Sequence, residues 1–192
     1  MRIHGSKIIQ RRKNIVPQND YNKYKPELRE DFCYVCGYCG KHERVSYTRM
    51  EIDHFVPKKV DPDRETDYSN LVYSCFQCNN KKWCHWPTED KKSHNNELVG
   101  FVDPATAEYD NHLKRCIDGT IEPLTDVGKY MFTIFRFDIR VMDVIWKASQ
   151  LHERLDKLEY NINELANEEK EKLLRDLWEL RSLSNLLFNN RE

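Results

Sequence analysis

No run of apolar residues in this sequence is long enough to span a bilayer, and the opening Met1-Arg2-Ile3-His4-Gly5 has no apolar signal-peptide core. A cytoplasmic chain without membrane association is the expectation. Neither sign of charge is in surplus, since 31 Lys and Arg face 32 Asp and Glu for a net charge of -1. Internal repeats and low-complexity tracts are absent, which argues against a solenoid or a disordered linker. A disulfide framework is not indicated either. The seven cysteines are an odd number, and their Cys-x-x-Cys spacing points to metal or redox work. No helix carrying several base-reading side chains stands out, so no sequence preference toward a nucleic acid is legible.

What is present is a charge-rich chain of 192 residues, enough for one domain and an appendage. Four stretches differ in character. Residues 1–30 carry a basic excess, including Arg11, Arg12 and Lys13, and read either as a solvated flexible arm or as a contact for a polyanion. Residues 31–100 hold most of the Cys, His and Trp and form a metal-knit unit, with a short helix entering it after Pro26. A strand over Tyr47–Ile52 leads to Asp53-His54, Leu71–Ser74 is a short apolar segment, and a helix is expected from Phe76 to about Lys82. Residues 101–140 contain a hairpin about Asp118-Gly119, a strong turn pair, and become helical from Val127.

Residues 141–192 show the clearest periodicity. Val141, Val144, Ala148, Leu151, Leu155, Leu158, Ile162 and Leu165 recur three and four apart, and Leu173, Leu177, Leu180 and Leu187 form a second stripe. Asn161, Asn163 and Asn167 cluster where a turn would sit, which favours an antiparallel helical hairpin over one long helix paired with a partner. Either arrangement leaves room for docking of another protein or a second copy.

Cys36-Gly37-Tyr38-Cys39 and Cys75-Phe76-Gln77-Cys78 are two knuckles able to complete a closed, all-thiolate tetrahedral site, which makes the expected Zn²⁺ structural. Cys33-Tyr34-Val35-Cys36 is an overlapping alternative. Gly37 and Gly40 favour the Cys36/Cys39 pair, because a knuckle needs their turn flexibility.

Between the knuckles lies Glu51-Ile52-Asp53-His54-Phe55-Val56-Pro57-Lys58, then Asn70; Asn79-Asn80-Lys81-Lys82 follows the second knuckle. Phosphodiester hydrolysis needs an activated water and a cation against the phosphate charge. His54 titrates near working pH and suits the base, while Asp53 is a hard oxygen donor for Mg²⁺ or Mn²⁺. Successive strand residues face opposite ways, so the strand must end or bulge at this pair. His85, among Trp83, Cys84 and Trp86, reads as packing or a substrate contact rather than a ligand.

In order and spacing, residues 33–82 resemble the HNH endonuclease family, the zinc-knuckle branch of the His-Me finger nucleases. The resemblance implies an α+β fold with a ββα-metal core, followed here by a mainly helical C-terminal region. It implies that His54 faces the scissile phosphate, that Asp53 and Asn79 hold the catalytic ion, and that Asn70 orients the histidine loop. Asn79 stands where the family name has its last histidine, and its oxygen tilts the ion toward Mg²⁺ or Mn²⁺. Lys58, Lys81 and Lys82 would grip DNA phosphates, with Arg11, Arg12 and Lys13 as further contacts. Phe101-Val102-Asp103-Pro104 and Asp118-Gly119-Thr120-Ile121-Glu122-Pro123 are similar to stretches of the nuclease subunit of Septu-type anti-phage systems, which implies an ATPase partner docked on the C-terminal helices. The competing reading is a non-catalytic, zinc-stabilised nucleic-acid-binding or adaptor module.

Overall fold

The computed structural model describes residues 1–46, 48–159 and 166–189. The first helix, α1 (Lys25–Asp31), starts with Pro26 in its first turn, where proline lacks only an N–H that would be orphaned anyway. The chain then makes the first cysteine knuckle and enters β1 (Glu51–His54). Tyr47, the start of the expected strand, lies outside the described residues. A long loop returns as β2 (Leu71–Ser74), antiparallel to β1 with Asp53 opposite Val72 and His54 opposite Leu71. The second knuckle opens α2 (Phe76–Lys82), with Cys75 as its N-cap residue. β1, β2 and α2 thus make the ββα unit.

Two four-residue strands make a marginal sheet on their own. Here every residue of β2 is buried, and Phe32, Phe55 and Val56 join Leu71 and Val72 in the main core. The loop between the strands is held by Asn70, which is fully buried. Its Oδ1 accepts from the Val56 amide at 2.8 Å, and its Nδ2 donates to the Val56 carbonyl at 3.0 Å.

The residues beyond the knuckles build a helical region against this unit. α3 (Tyr109–His112) runs into β3 (Leu113–Arg115), and β3 pairs antiparallel with β4 (Ile121–Pro123) around Asp118-Gly119. α4 (Asp126–Ile134) is capped by the Thr125 hydroxyl, which accepts from the Gly128 amide. α5 (Met142–Glu159) and α6 (Asn167–Asn189) pack on one another. Arg154 pairs with Asp176, and Lys147 with Glu179, so the partner number falls as the first rises: the two helices are antiparallel. Ala148, Leu151 and Leu183 form their buried seam with Val45. The hairpin therefore buries part of the stripe within the chain. Leu177 departs from the expected seam and is exposed. The Leu158 side chain, Asn161, Ile162, Asn163 and Leu165 lie outside the described residues.

The N-terminal segment is not a solvated arm. Ile3 is fully buried, Met1 and Arg115 exchange backbone hydrogen bonds at 2.8 and 3.0 Å, and the Ile3 amide donates to Asp110. Apolar residues between the basic ones, Ile3 and Ile9, belong to the core and draw the segment down. Among the described residues, no helix is long and apolar enough to cross a membrane.

Candidate active site and metal centre

Cys36, Cys39, Cys75 and Cys78 are all buried, and their sulfurs lie within 4.8 Å of one another. A tetrahedral ion with Zn–S bonds of about 2.3 Å sets its sulfurs roughly 3.8 Å apart. The Cys39 and Cys75 sulfurs are 3.8 Å apart, so the cluster fits a structural zinc ion. Cys33 is outside it, half-buried, with its sulfur 3.6 Å from the Ile8 carbonyl. The knuckle glycines explain the choice of pair. Gly40 has φ +69°, and a Cβ there would sit 2.9 Å from the Ile3 carbonyl oxygen. A Cβ on Gly37 would lie 2.7 Å from the Phe32 ring.

A cation faces these sulfurs. Arg140, buried between α4 and α5, places Nη1 3.3 Å from the Cys78 sulfur and Nη2 3.7 Å from that of Cys39. Nη2 also donates to Gln77 Oε1 at 3.1 Å. Burial raises the Cys39 thiol pKa, but hydrogen bonds with the other three cysteines and the charge of Arg140 hold it well below the ordinary value. Arg140 sits outside both knuckles, so their spacing does not mark it.

The second centre is an open cleft of about 320 Å³ lined by Asp53, His54 and Asn79 together with Tyr21, Lys58 and Lys59. His54 closes β1. Its Nε2 lies 2.8 Å from the Glu65 carbonyl oxygen, and its ring meets Tyr21 edge-on at 4.8 Å. A carbonyl can only accept, so Nε2 carries a hydrogen, and in the neutral imidazole the lone pair is then on Nδ1. Desolvation lowers the His54 pKa below its ordinary value, against the opposing pull of the Glu65 carbonyl and Asp53. Burial thus disfavours the charged imidazolium at this position.

Asp53 is buried, and its Oδ2 accepts from the Tyr38 hydroxyl at 2.5 Å and pairs with Lys82 Nζ at 3.0 Å. Asn79 donates Nδ2 to Glu51 Oε2 at 2.6 Å, which leaves the amide oxygen as its acceptor end. Asp53 and Asn79 thus bring hard oxygen donors to one cleft, a donor set that suits Mg²⁺ or Mn²⁺.

Residues 36–83 match the HNH endonuclease family. The matched segment runs from the first zinc-knuckle cysteine to the end of α2 and contains both centres. Septu protein PtuB of Bacillus thuringiensis is 31% identical over 96 residues, which cover 48% of this chain and 33% of that protein. The match therefore spans about a third of the relative's length. No solved structure matches the chain.

Around the HNH segment, the basic residues divide by what they touch. Lys58 is exposed at the cleft, 3.1 Å from Glu65 and over the Tyr21 ring, and Lys81 is exposed on α2. Lys82 is different: it is fully buried, paired with Asp53, and donates to the His54 carbonyl at 2.9 Å. A lysine so enclosed braces β1 and is not placed to grip a phosphate. Arg11 makes a bidentate pair with Asp103 at 2.8 and 3.0 Å and donates to the Leu71 carbonyl. Arg12 is bound to Asp31 and Glu30. Their guanidinium groups fasten the N-terminal segment, while Lys13 remains exposed. His85 is exposed. Glu51, Tyr38 and Lys59 were not anticipated. Alternation along β1 would have put Glu51 on the Asp53 face.

Proposed function

We propose that this protein is a metal-dependent HNH endonuclease that hydrolyses DNA phosphodiester bonds, with His54 as general base. The observation that carries this reading is the His54 imidazole, fixed through Nε2 on the Glu65 carbonyl in the cleft it shares with Asp53 and Asn79. Nδ1 takes the proton of the attacking water. Asp53 and Asn79 would hold a Mg²⁺ or Mn²⁺ ion, which would supply positive charge against the phosphodiester when bound. Asn70 keeps the loop after His54 in place through its two bonds to Val56. Tyr38 and Lys82 orient the Asp53 carboxylate. Lys58 and Lys81 contact phosphates. The ends expected are 5′-phosphate and 3′-hydroxyl.

The test is plasmid cleavage by the zinc-loaded protein with Mg²⁺ or Mn²⁺, with and without EDTA, beside His54→Ala. Loss of a general base lowers the rate by about 10²–10⁴-fold. Excess Mn²⁺ should partly rescue Asp53→Ala and should not rescue His54→Ala. Undiminished cleavage by a folded His54→Ala protein would place the catalytic centre elsewhere.

The likeness to Septu protein PtuB supports a role as the nuclease component of an anti-phage system. The C-terminal hairpin is the surface proposed for a protein partner, such as an ATPase, or for a second copy. α6 exposes Leu174, Leu177 and Trp178 along one side, an apolar strip at i, i+3 and i+4 spacing. Trp178→Asp should weaken partner capture and leave DNA cleavage by the isolated protein unchanged.

A further inference from the structure

Trp83, the residue that ends α2, is held in a conformation that tryptophan rarely adopts. It has φ +45° and ψ −126°, and the His85 amide donates to the Lys82 carbonyl at 2.9 Å. These are the marks of a type II′ turn over Lys82–His85, with Trp83 at the first central position, where φ is positive and glycine is the usual residue. For a bulky side chain a positive φ is a true outlier. Burial does not offset the strain, because Trp83 is 68% exposed. Trp86, three residues on, shows the contrast. It is buried, edge-on to Phe55 at 5.5 Å, and its Nε1 donates to the Asp90 carbonyl.

A single exposed aromatic is ordinary on a protein surface. What sets Trp83 apart is its place: it lines the same cleft as Asp53, His54 and Asn79. Its amide donates to the Asn79 carbonyl at 2.8 Å, which fixes the turn relative to that cleft. Strained residues persist where the surroundings over-determine them, and they cluster at functional sites. The exposed Lys58 and Lys59 bring cations to the cleft. The Tyr21 ring there is engaged within the protein, edge-on to His54 and under Lys58, whereas the Trp83 indole stands open to solvent. Cations for the backbone beside an open aromatic face for a base make the composition of a single-strand binding site. In a duplex both faces of each base are covered by its neighbours, so an indole stacks only on a base that has left the stack.

We propose that Trp83 is a substrate-binding residue that stacks on a nucleobase beside the scissile phosphate, and that the preferred DNA is unpaired at that nucleotide. The inference rests on the endonuclease reading, because His54 fixes where the scissile phosphate sits. Lys58 and Lys59 hold the flanking backbone, and the indole stops the strand from sliding past His54. Every base has a π-face, so the selection is for unpaired DNA and not for a sequence.

The experiment uses the full chain with zinc bound, in a His54→Ala background that prevents cutting. Anisotropy gives the affinity for a fluorescein-labelled, fully paired duplex and for the same duplex with a central unpaired bubble. The parent is compared with Trp83→Gly and Trp83→Phe. The parent should bind the bubble more tightly than the duplex. Loss of one base–aromatic stack should weaken bubble binding by Trp83→Gly about 5- to 150-fold and leave duplex binding unchanged. Trp83→Phe should keep most of the affinity. A 2-aminopurine in the bubble should be quenched by the parent and not by Trp83→Gly. Glycine suits the turn, so relief of strain should offset the added freedom of the unfolded chain, and Trp83→Gly should melt no lower than its parent. Zinc content and the duplex affinity verify that it is folded. A parent that binds both DNAs alike overturns the proposal, and so does a Trp83→Gly protein that keeps its bubble affinity. Equal weakening on bubble and duplex also overturns it, since the indole would then serve the fold or paired DNA. Cleavage by His54→Ala, with bubble binding still dependent on Trp83, would refute the catalytic reading alone.

Discussion

Arg140 and Cys78 meet at 3.3 Å, Nη1 to sulfur, although 62 residues separate them in the chain. Four thiolates around a divalent zinc leave a net charge of about −2, buried in the core. The Arg140 guanidinium supplies an opposing charge and hydrogen-bond donors to it, and it ties the helical region to the HNH segment.

Replacing Arg140 with Met should therefore loosen the metal without removing a ligand. Partners of metal ligands typically contribute about 10–100-fold in metal affinity. Competition with a chromogenic chelator should show zinc leaving Arg140→Met at correspondingly lower chelator concentration, with Arg140→Lys intermediate. An unchanged competition curve would mean the contact is packing only.

Lys82→Met separates a supporting role from a phosphate-gripping one. It leaves the Asp53 carboxylate buried opposite an apolar side chain, and breaking a buried pair costs about 3–5 kcal/mol. Thermal unfolding should register that loss. The salt dependence of DNA binding should not change, whereas Lys81→Met should reduce its slope by about 0.9 if Lys81 touches a phosphate.

Asn70→Ala removes both side-chain bonds to Val56 and strands a buried amide and carbonyl, each at a cost of about 1–3 kcal/mol. The expected result is a lower melting temperature with zinc still bound, together with reduced cleavage. Protection of the Val56 amide in hydrogen exchange should fall. Normal protection there would show that the loop is held by other contacts.

The pH profile of cleavage follows from the sign of the His54 shift. Burial disfavours the imidazolium, so the folded pKa lies below the ordinary 6.5. The neutral base then persists to lower pH than for a free histidine. Cleavage at saturating Mn²⁺ should rise with pH to a midpoint below 6.5 and be level by pH 7.5. A midpoint well above 6.5 would argue for a different titrating group.

Local spacing carried both centres into view. Cys36/Cys39 and Cys75/Cys78 are legible because a knuckle is a short-range geometry. Gly37 and Gly40 mark it because only glycine fits beside Phe32 and the Ile3 carbonyl. The extent of α2 and the turn of the β3–β4 hairpin also follow from nearby residues, whereas the strands themselves are Leu113–Arg115 and Ile121–Pro123; the antiparallel packing of α5 and α6 agrees with the apolar stripe.

Charge, in contrast, says nothing by itself about where a side chain ends up. Lys81 and Lys82 are neighbours in sequence, yet one is solvated and the other buried against Asp53, because helix rotation turns them to different faces. Arg11 and Arg12 look like a polyanion contact until Asp103, Asp31 and Glu30 are brought to them by the fold. Sequence alone marked the cysteine cluster and the candidates Asp53, His54, Asn70 and Asn79, through motifs a few residues long. Only the tertiary structure decided which cations face solvent and which neutralise buried groups, since those pairings join positions such as Cys39 and Arg140, 101 residues apart, with no periodicity to announce them.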